Sequence, residues 1–372
     1  MVTLLSILLL GIPGDTTKKE SFLLPVPVVC SNPTAGLIYG AGLNYTYREP
    51  SIRYLSVVSS NATWSTNGML NLNVKTNLFT GSGGWLINTD SRLQDNTETT
   101  YGLGTGNPAA FDLHWDGLST TFNSTGQALH YQQIRLDQTL SRRLAPNFFA
   151  GLGYRYDHYQ HISDDKTKAG DSLASYQVRY SESHGFSPAH YTVSGVCINV
   201  LYDNRDNEVD AYTGYYININ YQFNNASQTL LIDYRSYYAL GSNNKNILAF
   251  WVYSQLLTSG KLPYLALPAI GYDQRQRSGR GYAFGRFRGE DLLYEESEYR
   301  FPVLGRLGGV LFLNLTSTAD KTNHLTLGET FQAGYGGGLR FMLDRAMRSR
   351  LQLDIGAGKQ SLGLYFGIQE TF

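Results

Sequence analysis

Residues 215–223 alternate strictly along the chain: Tyr215, Ile217, Ile219, Tyr221 and Phe223 fall on one side of an extended backbone, with Tyr216, Asn218, Asn220 and Gln222 on the other. A repeat of two is the period of a β-strand. The next segment repeats the pattern, with Leu230, Ile232, Tyr234 and Tyr238 opposed by Asp233 and Arg235. Charges in mid-strand on a single face require a wet, enclosed interior, because a basic residue on a lipid face costs about 2–4 kcal/mol at mid-membrane. The chain has no run of about 18 apolar residues, so no helix is expected to cross a membrane. A sheet that is apolar outside and polar inside, closed on itself so that no backbone edge meets lipid, satisfies all of these constraints.

The same alternation recurs along the chain and predicts sixteen strands: 36–47, 52–65, 70–80, 84–93, 98–104, 128–141, 147–160, 191–202, 215–223, 230–238, 246–259, 291–301, 308–318, 336–343, 350–358 and 362–372. Most links are short and read as hairpins, while 105–127, 161–190 and 260–289 read as long loops. The fold class is therefore all-β, a closed antiparallel transmembrane β-barrel of about sixteen strands. Composition agrees: 28 Tyr and 39 Gly suit aromatic girdles and tight turns. A mean hydropathy of −0.26 does not oppose this, since alternation hides the apolar face from a running average. With 30 basic and 30 acidic residues the net charge is zero, and no field favours nucleic acid. Residues 1–21 are expected to form a signal-like or disordered segment, because Met1–Leu10 is apolar and polar residues follow, and 22–372 to form the barrel. Cys30 and Cys197 read as two unrelated thiols, and Val29 before Cys30 argues against lipidation.

Residues 279–290, GRGYAFGRFRGE, interleave Arg280, Arg286 and Arg288 with glycines and with Tyr282, Phe284 and Phe287. Such a segment approaches other backbone closely while carrying fixed charge. It resembles the arginine–glycine–aromatic loop of BamA/TamA-type outer-membrane barrels, the bacterial surface antigen family, through Arg280, Gly281 and Tyr282. Residues 202–214, YDNRDNEVDAYTG, resemble that family's charged turn through Tyr202, Asp203, Arg205, Asp206 and Gly214. The final Phe372 resembles its C-terminal barrel signal. In the family the loop folds into the lumen and its arginine meets a carboxylate on a later strand. Here the aligned position is Asn314, so the candidate partners of Arg280 are Glu298, Asn314 and Asp354, the two carboxylates lying on lumen-facing phases.

His158, His161, Asp164, Asp165, His184 and His190 gather metal-capable side chains, but their spacing matches no ligand pattern. Residues 102–106, GLGTG, precede Asn107 and Pro108 rather than a helix, so they do not read as a dinucleotide fingerprint. We expect no metal, no cofactor and no enzyme. The resemblance implies an outer-membrane protein of a Gram-negative bacterium that assembles or inserts outer-membrane proteins, or moves polypeptides. Its implied partners are outer-membrane lipid, unfolded outer-membrane protein clients and a separate periplasmic helper. Few residues precede the barrel, so a barrel-only member without periplasmic POTRA domains is expected. The alternative is a passive pore or surface receptor. An insertion factor is expected to open laterally between segments 36–47 and 362–372, where Gly36, Gly40, Gly42, Gly363 and Gly367 either weaken the pairing or make room for the folded-in loop.

Overall fold

A computed structural model describes residues 20–372 except 33–35, 50–51, 67, 81, 107–110, 116–117, 123–125, 166–168, 171–174 and 242–245. Of the expected signal-like segment 1–21, residues 1–19 lie outside the described residues, while Glu20 and Ser21 open the first strand, so that boundary is corrected. The strands are β1 (Glu20–Asn32), β2 (Gly36–Arg48), β3 (Ser56–Ser65), β4 (Leu70–Thr80), β5 (Trp85–Thr100), β6 (Phe111–Trp115), β7 (Leu118–Phe122), β8 (Gln127–Ala145) and β9 (Phe148–Asp164). After helix α1 (Tyr176–His184) come β10 (Tyr191–Asp203), β11 (Gly214–Asn224), β12 (Ser227–Leu240), β13 (Asn246–Gly260), β14 (Asp291–Leu304), β15 (Leu307–Thr318), β16 (Gln332–Asp344), β17 (Ser349–Gly358) and β18 (Ser361–Ile368).

Sixteen of these, all but β6 and β7, pair antiparallel in sequence order from β1 to β18, with β5 passing directly to β8. The sheet wraps around until residues just after its last strand reach its second, where Gln369 Nε2 donates to Asn44 Oδ1 at 3.1 Å. Leu136, Leu140, Leu152, Val196, Ile198, Leu311, Leu313 and Ile355 stand exposed on the outer face, as a lipid belt requires. Trp85, Tyr215, Tyr238, Tyr299 and Phe341 ring one end of that belt. This is the end where β18 finishes, called here the turn end, and 261–290 leave from the opposite loop end.

The expected fold class holds, while several boundaries are corrected. An additional strand, β1, precedes the expected first one, and expected strands 84–93 and 98–104 are one continuous β5, so the total of sixteen barrel strands is unchanged. Residues 94–97 contain no glycine or proline to turn the chain, and their alternation continues into β8 through an unbroken register. Pro25 and Pro27 lie within β1, where proline is accepted because the strand is at an edge of the sheet. The two residues are in step, so their missing N–H groups lie on one edge, and the unbroken register with β2 through both places that edge away from β2. The seam of the barrel is thus β1 against β18. Segment 36–47 does not border it, because β2 is enclosed by β1 and β3. β18 stops at Ile368, so Phe372 does not continue the outward phase of Leu362, Leu364, Phe366 and Ile368 and is buried in the lumen.

Apolar clusters pack at the two ends of the lumen. At the loop end Leu129, Tyr131, Tyr159, Tyr191, Tyr264 and Leu265 pack together, and α1 docks on them with Tyr180 Oη donating to Leu262 O at 3.1 Å. α1 is capped by Ser175, which accepts from Val178 N, and ended by Gly185 in the left-handed conformation. At the turn end Ile52, Tyr54, Phe79, Leu86, Phe149 and Leu201 form the second cluster, with Tyr54 stacked 4.6 Å from Phe79. Between them lies a cavity of about 170 Å³ lined by polar groups such as Asn88, Asp90, Arg135, Asp137, Arg155 and Asp157.

Candidate functional site: the lumen loop and its ion-pair network

The loop 261–290 descends through the lumen and touches its walls in several directions. Gly281 shows why its sequence must be glycine-rich: its φ is 102°, and a Cβ there would lie 2.7 Å from Ala357 O on β17. A side chain would be both strained and obstructed. Its N–H donates to Tyr365 Oη at 2.6 Å. The wall is correspondingly hollowed, since a Cβ on Gly334 of β16 would lie 2.5 Å from Arg280 O. Tyr282 fills the adjoining space, its hydroxyl donating to Ala333 O at 2.8 Å and accepting from Lys359 N at 2.9 Å.

Arg280 is fully enclosed. Its Nε and Nη2 reach the two oxygens of Glu296 at 3.2 and 2.6 Å, Nη1 reaches Asp354 Oδ2 at 2.7 Å, and Nη2 also bonds Glu298. The Phe312 ring lies 3.7 Å from its Cζ. Asn314 does not accept from the guanidinium; its Nδ2 donates to Arg280 O at 2.9 Å and holds the loop by its backbone. All three candidate partners therefore meet Arg280, and Glu296 is the one the sequence reading omitted. Its phase on β14, shared with Glu298, was the available signal. Planar, bidentate pairing of this kind is what guanidinium provides and ammonium does not.

The network extends toward the turn end. Arg300 Nε bonds Glu298 Oε2 at 2.7 Å, Arg340 bonds Asp354 and reaches Glu370 Oε2 at 2.6 Å, and Arg350 Nε bonds Asp210 Oδ2 at 2.6 Å. Phe372 is placed against Trp251, with ring centroids 5.4 Å apart, and accepts at its carbonyl from Arg300 Nη2 at 3.1 Å. Lower on the loop, Arg275 donates to Glu208 O at 3.0 Å and Glu370 O at 3.2 Å. The loop thus enters at one end of the barrel and is tied to the turn at the other. Toward the far wall, Lys75 donates to Gln276 Oε1 at 2.9 Å and Arg288 pairs with Glu98 at 2.8 Å.

The charged turn folds inward. Arg205 chelates Asp203 at 2.9 and 2.7 Å and lies over the Tyr216 ring, while Asp206 Oδ1 accepts from Tyr212 N and Thr213 N. Tyr202 Oη accepts from Asn204 Nδ2 at 3.2 Å, and Gly214 closes the turn at φ 105°. Glu208 Oε2 accepts from Leu55 N at 3.0 Å, which joins the turn to the segment behind the turn-end cluster. Burial, reinforced by nearby Asp203 and opposed by Arg205, pushes the Glu208 carboxyl up to about 7. Burial likewise raises Asp210 to about 6, although Arg350 pulls against it.

The loop histidines are held separately: His158 by Thr192 at 2.8 Å, His161 by Gln132 at 2.8 Å, and His184 by Tyr180 O at 2.9 Å. Among the described residues no group of three His, Cys, Asp or Glu side chains could hold a metal ion. Cys197 is a buried free thiol.

A family model for the Omp85 superfamily domain matches residues 39–372. The chain belongs to the Omp85 superfamily. This Omp85 barrel is similar in fold to BamA from Haemophilus ducreyi lacking POTRA domains 1–3, with a TM-score of 0.55 and 13% identity over 98% of this chain and 74% of that one. It is also similar to CdiB from Acinetobacter baumannii, with a TM-score of 0.55 and 14% identity over 95% of this chain and 59% of that one. No curated protein sequence matches the chain. As an Omp85 barrel it is an integral protein of the Gram-negative outer membrane.

Proposed function

We propose that this Omp85 barrel inserts or translocates polypeptides at the outer membrane, with its loop end outside, its turn end toward the periplasm, and the β1/β18 seam as the working surface. The observation that carries this reading is where the barrel is strong and where it is weak. Apolar clusters sit at both ends of the lumen, and the loop is tied through Arg280 to β14 and β17. At the seam, by contrast, β1 lacks N–H donors at Pro25 and Pro27, so a continuous ladder to β18 has two rungs missing. A path for a client chain therefore runs through the wall more easily than along the axis.

Unfolded outer-membrane proteins are the fitting clients, since an exposed strand edge is completed by another strand. A separate periplasmic helper would deliver them. The separately bonded loop histidines support a non-enzymatic reading. The passive-pore alternative draws on the polar cavity of about 170 Å³, but apolar clusters bound that cavity at both ends. Reconstitution distinguishes the two. Proteoliposomes carrying the protein should speed the conversion of a urea-unfolded outer-membrane barrel to its folded, heat-modifiable form relative to empty liposomes. No acceleration, with steady ion conductance instead, would favour the pore.

A further inference from the structure

The loop 101–126 does more than connect β5 to β8. Its first part is strapped across the mouth: Gly104 N donates to Arg288 O at 2.8 Å, Gln332 Nε2 donates to Thr105 O at 2.9 Å, and Thr105 Oγ1 donates to Thr330 O at 3.1 Å. The Arg286 guanidinium lies 4.1 Å from the centre of the Tyr101 ring. Arg286 and Arg288 belong to the same lumen loop as Arg280. Beyond the strap the chain forms the β6–β7 hairpin, and β6 runs parallel to β18 with Asp112 opposite Ser361, Leu113 opposite Leu362 and Trp115 opposite Leu364. β7 runs beside β1. Among the described residues no register joins β1 to β18; the hairpin stands between them at the loop end.

We propose that the β6–β7 hairpin is an intramolecular seal on the seam, filling the strand-accepting edge of β18, and that the lumen loop holds it in place through the strap 101–106. The pairing is suited to release. It covers only four residues of β18, it is parallel and so slightly weaker per residue than an antiparallel ladder, and a lone two-stranded hairpin has little stability of its own. What keeps it in place is the strap, and the strap is held by Arg286 and Arg288. Loosening the loop would therefore free the β18 edge for an extended polypeptide. That last consequence rests on the insertion reading; the position of the seal and its dependence on the strap do not.

The test uses cysteine pairs in the full chain, with Cys30 and Cys197 replaced by Ser, in native membranes without any client. Leu113→Cys with Leu362→Cys should cross-link under mild oxidation, read as a shifted band on a non-reducing gel. Val28→Cys or Val29→Cys with Leu364→Cys, which reports direct closure of β1 on β18, should cross-link at a small fraction of that yield. Absence of the first cross-link, or an equal or greater yield of the second, overturns the seal. Tyr101→Ala should lower the first yield several-fold while the barrel remains heat-modifiable, and Thr105→Val should act in the same direction. An unchanged yield in both removes the strap from the mechanism. Because no client is present, failure here is separate from failure of the reconstitution.

Discussion

Arg280 ties the lumen loop to three wall carboxylates, and its environment sets the size of the effect when it is lost. Three carboxylates, Glu296, Glu298 and Asp354, converge on one guanidinium with almost no solvent. Removing one member of a buried ion cluster leaves the others unpaired and costs about 3–5 kcal/mol. Arg280→Ala should therefore lower the temperature at which the folded band converts to the unfolded band on a denaturing gel, and should admit external protease to 261–290. Arg280→Lys should recover little, because an ammonium cannot span Glu296 bidentately while also reaching Asp354. Equal protease resistance in both variants would show that the loop is held by its backbone contacts, such as Asn314 to Arg280 O, rather than by charge.

At the scale of elements, the inward turn 204–213 joins the lumen loop to the turn-end cluster, and its stability follows pH through Glu208. The folded carboxyl sits near 7, above its ordinary 4.5. A raised carboxyl favours the folded state fully below about pH 4.5 and loses that contribution as pH rises through 7. This group therefore makes the folded barrel more resistant at pH 5 than at pH 8. Glu208→Gln keeps an acceptor for Leu55 N and has no charge to bury, so it should raise the conversion temperature at pH 8 and leave it nearly unchanged at pH 5. A variant with the wild-type difference between the two pH values would clear Glu208 of the effect. The same scale shows why the seam is better explained by proline than by glycine. Gly36, Gly40 and Gly42 lie on β2, inside an intact ladder, and Gly367 on β18 makes room for the lumen loop, since a Cβ there would lie 2.1 Å from Arg277 Nη2, whereas Pro25 and Pro27 lie on the edge strand.

As a whole molecule, the protein is a sixteen-stranded barrel whose lumen holds a folded-in loop and an apolar cluster at each end. In a planar bilayer the wild-type protein should conduct far less than an open barrel of this ring size, and Arg280→Ala should add transient openings; a steady, porin-sized conductance in the wild type would contradict a sealed lumen. Much of this architecture was legible in the sequence because two-residue alternation is local: each strand states which face meets lipid without reference to its neighbours. That placed Glu298 and Asp354 inside and made Arg280 their plausible partner. A polar stretch such as 94–97 looks like a turn in the sequence, whereas in β5 it continues one long strand paired with β8 throughout. Pairing and enclosure are not local. Which carboxylate takes the second arm of Arg280, that Asn314 donates instead of accepting, that Phe372 turns into the lumen, and that a hairpin from 101–126 reaches β18 all depend on contacts between residues far apart in the chain. Alternation along the sequence determined the barrel and its two faces; tertiary structure decided what fills it and where its wall is weakest, because those are set by distances across the lumen that no periodicity records.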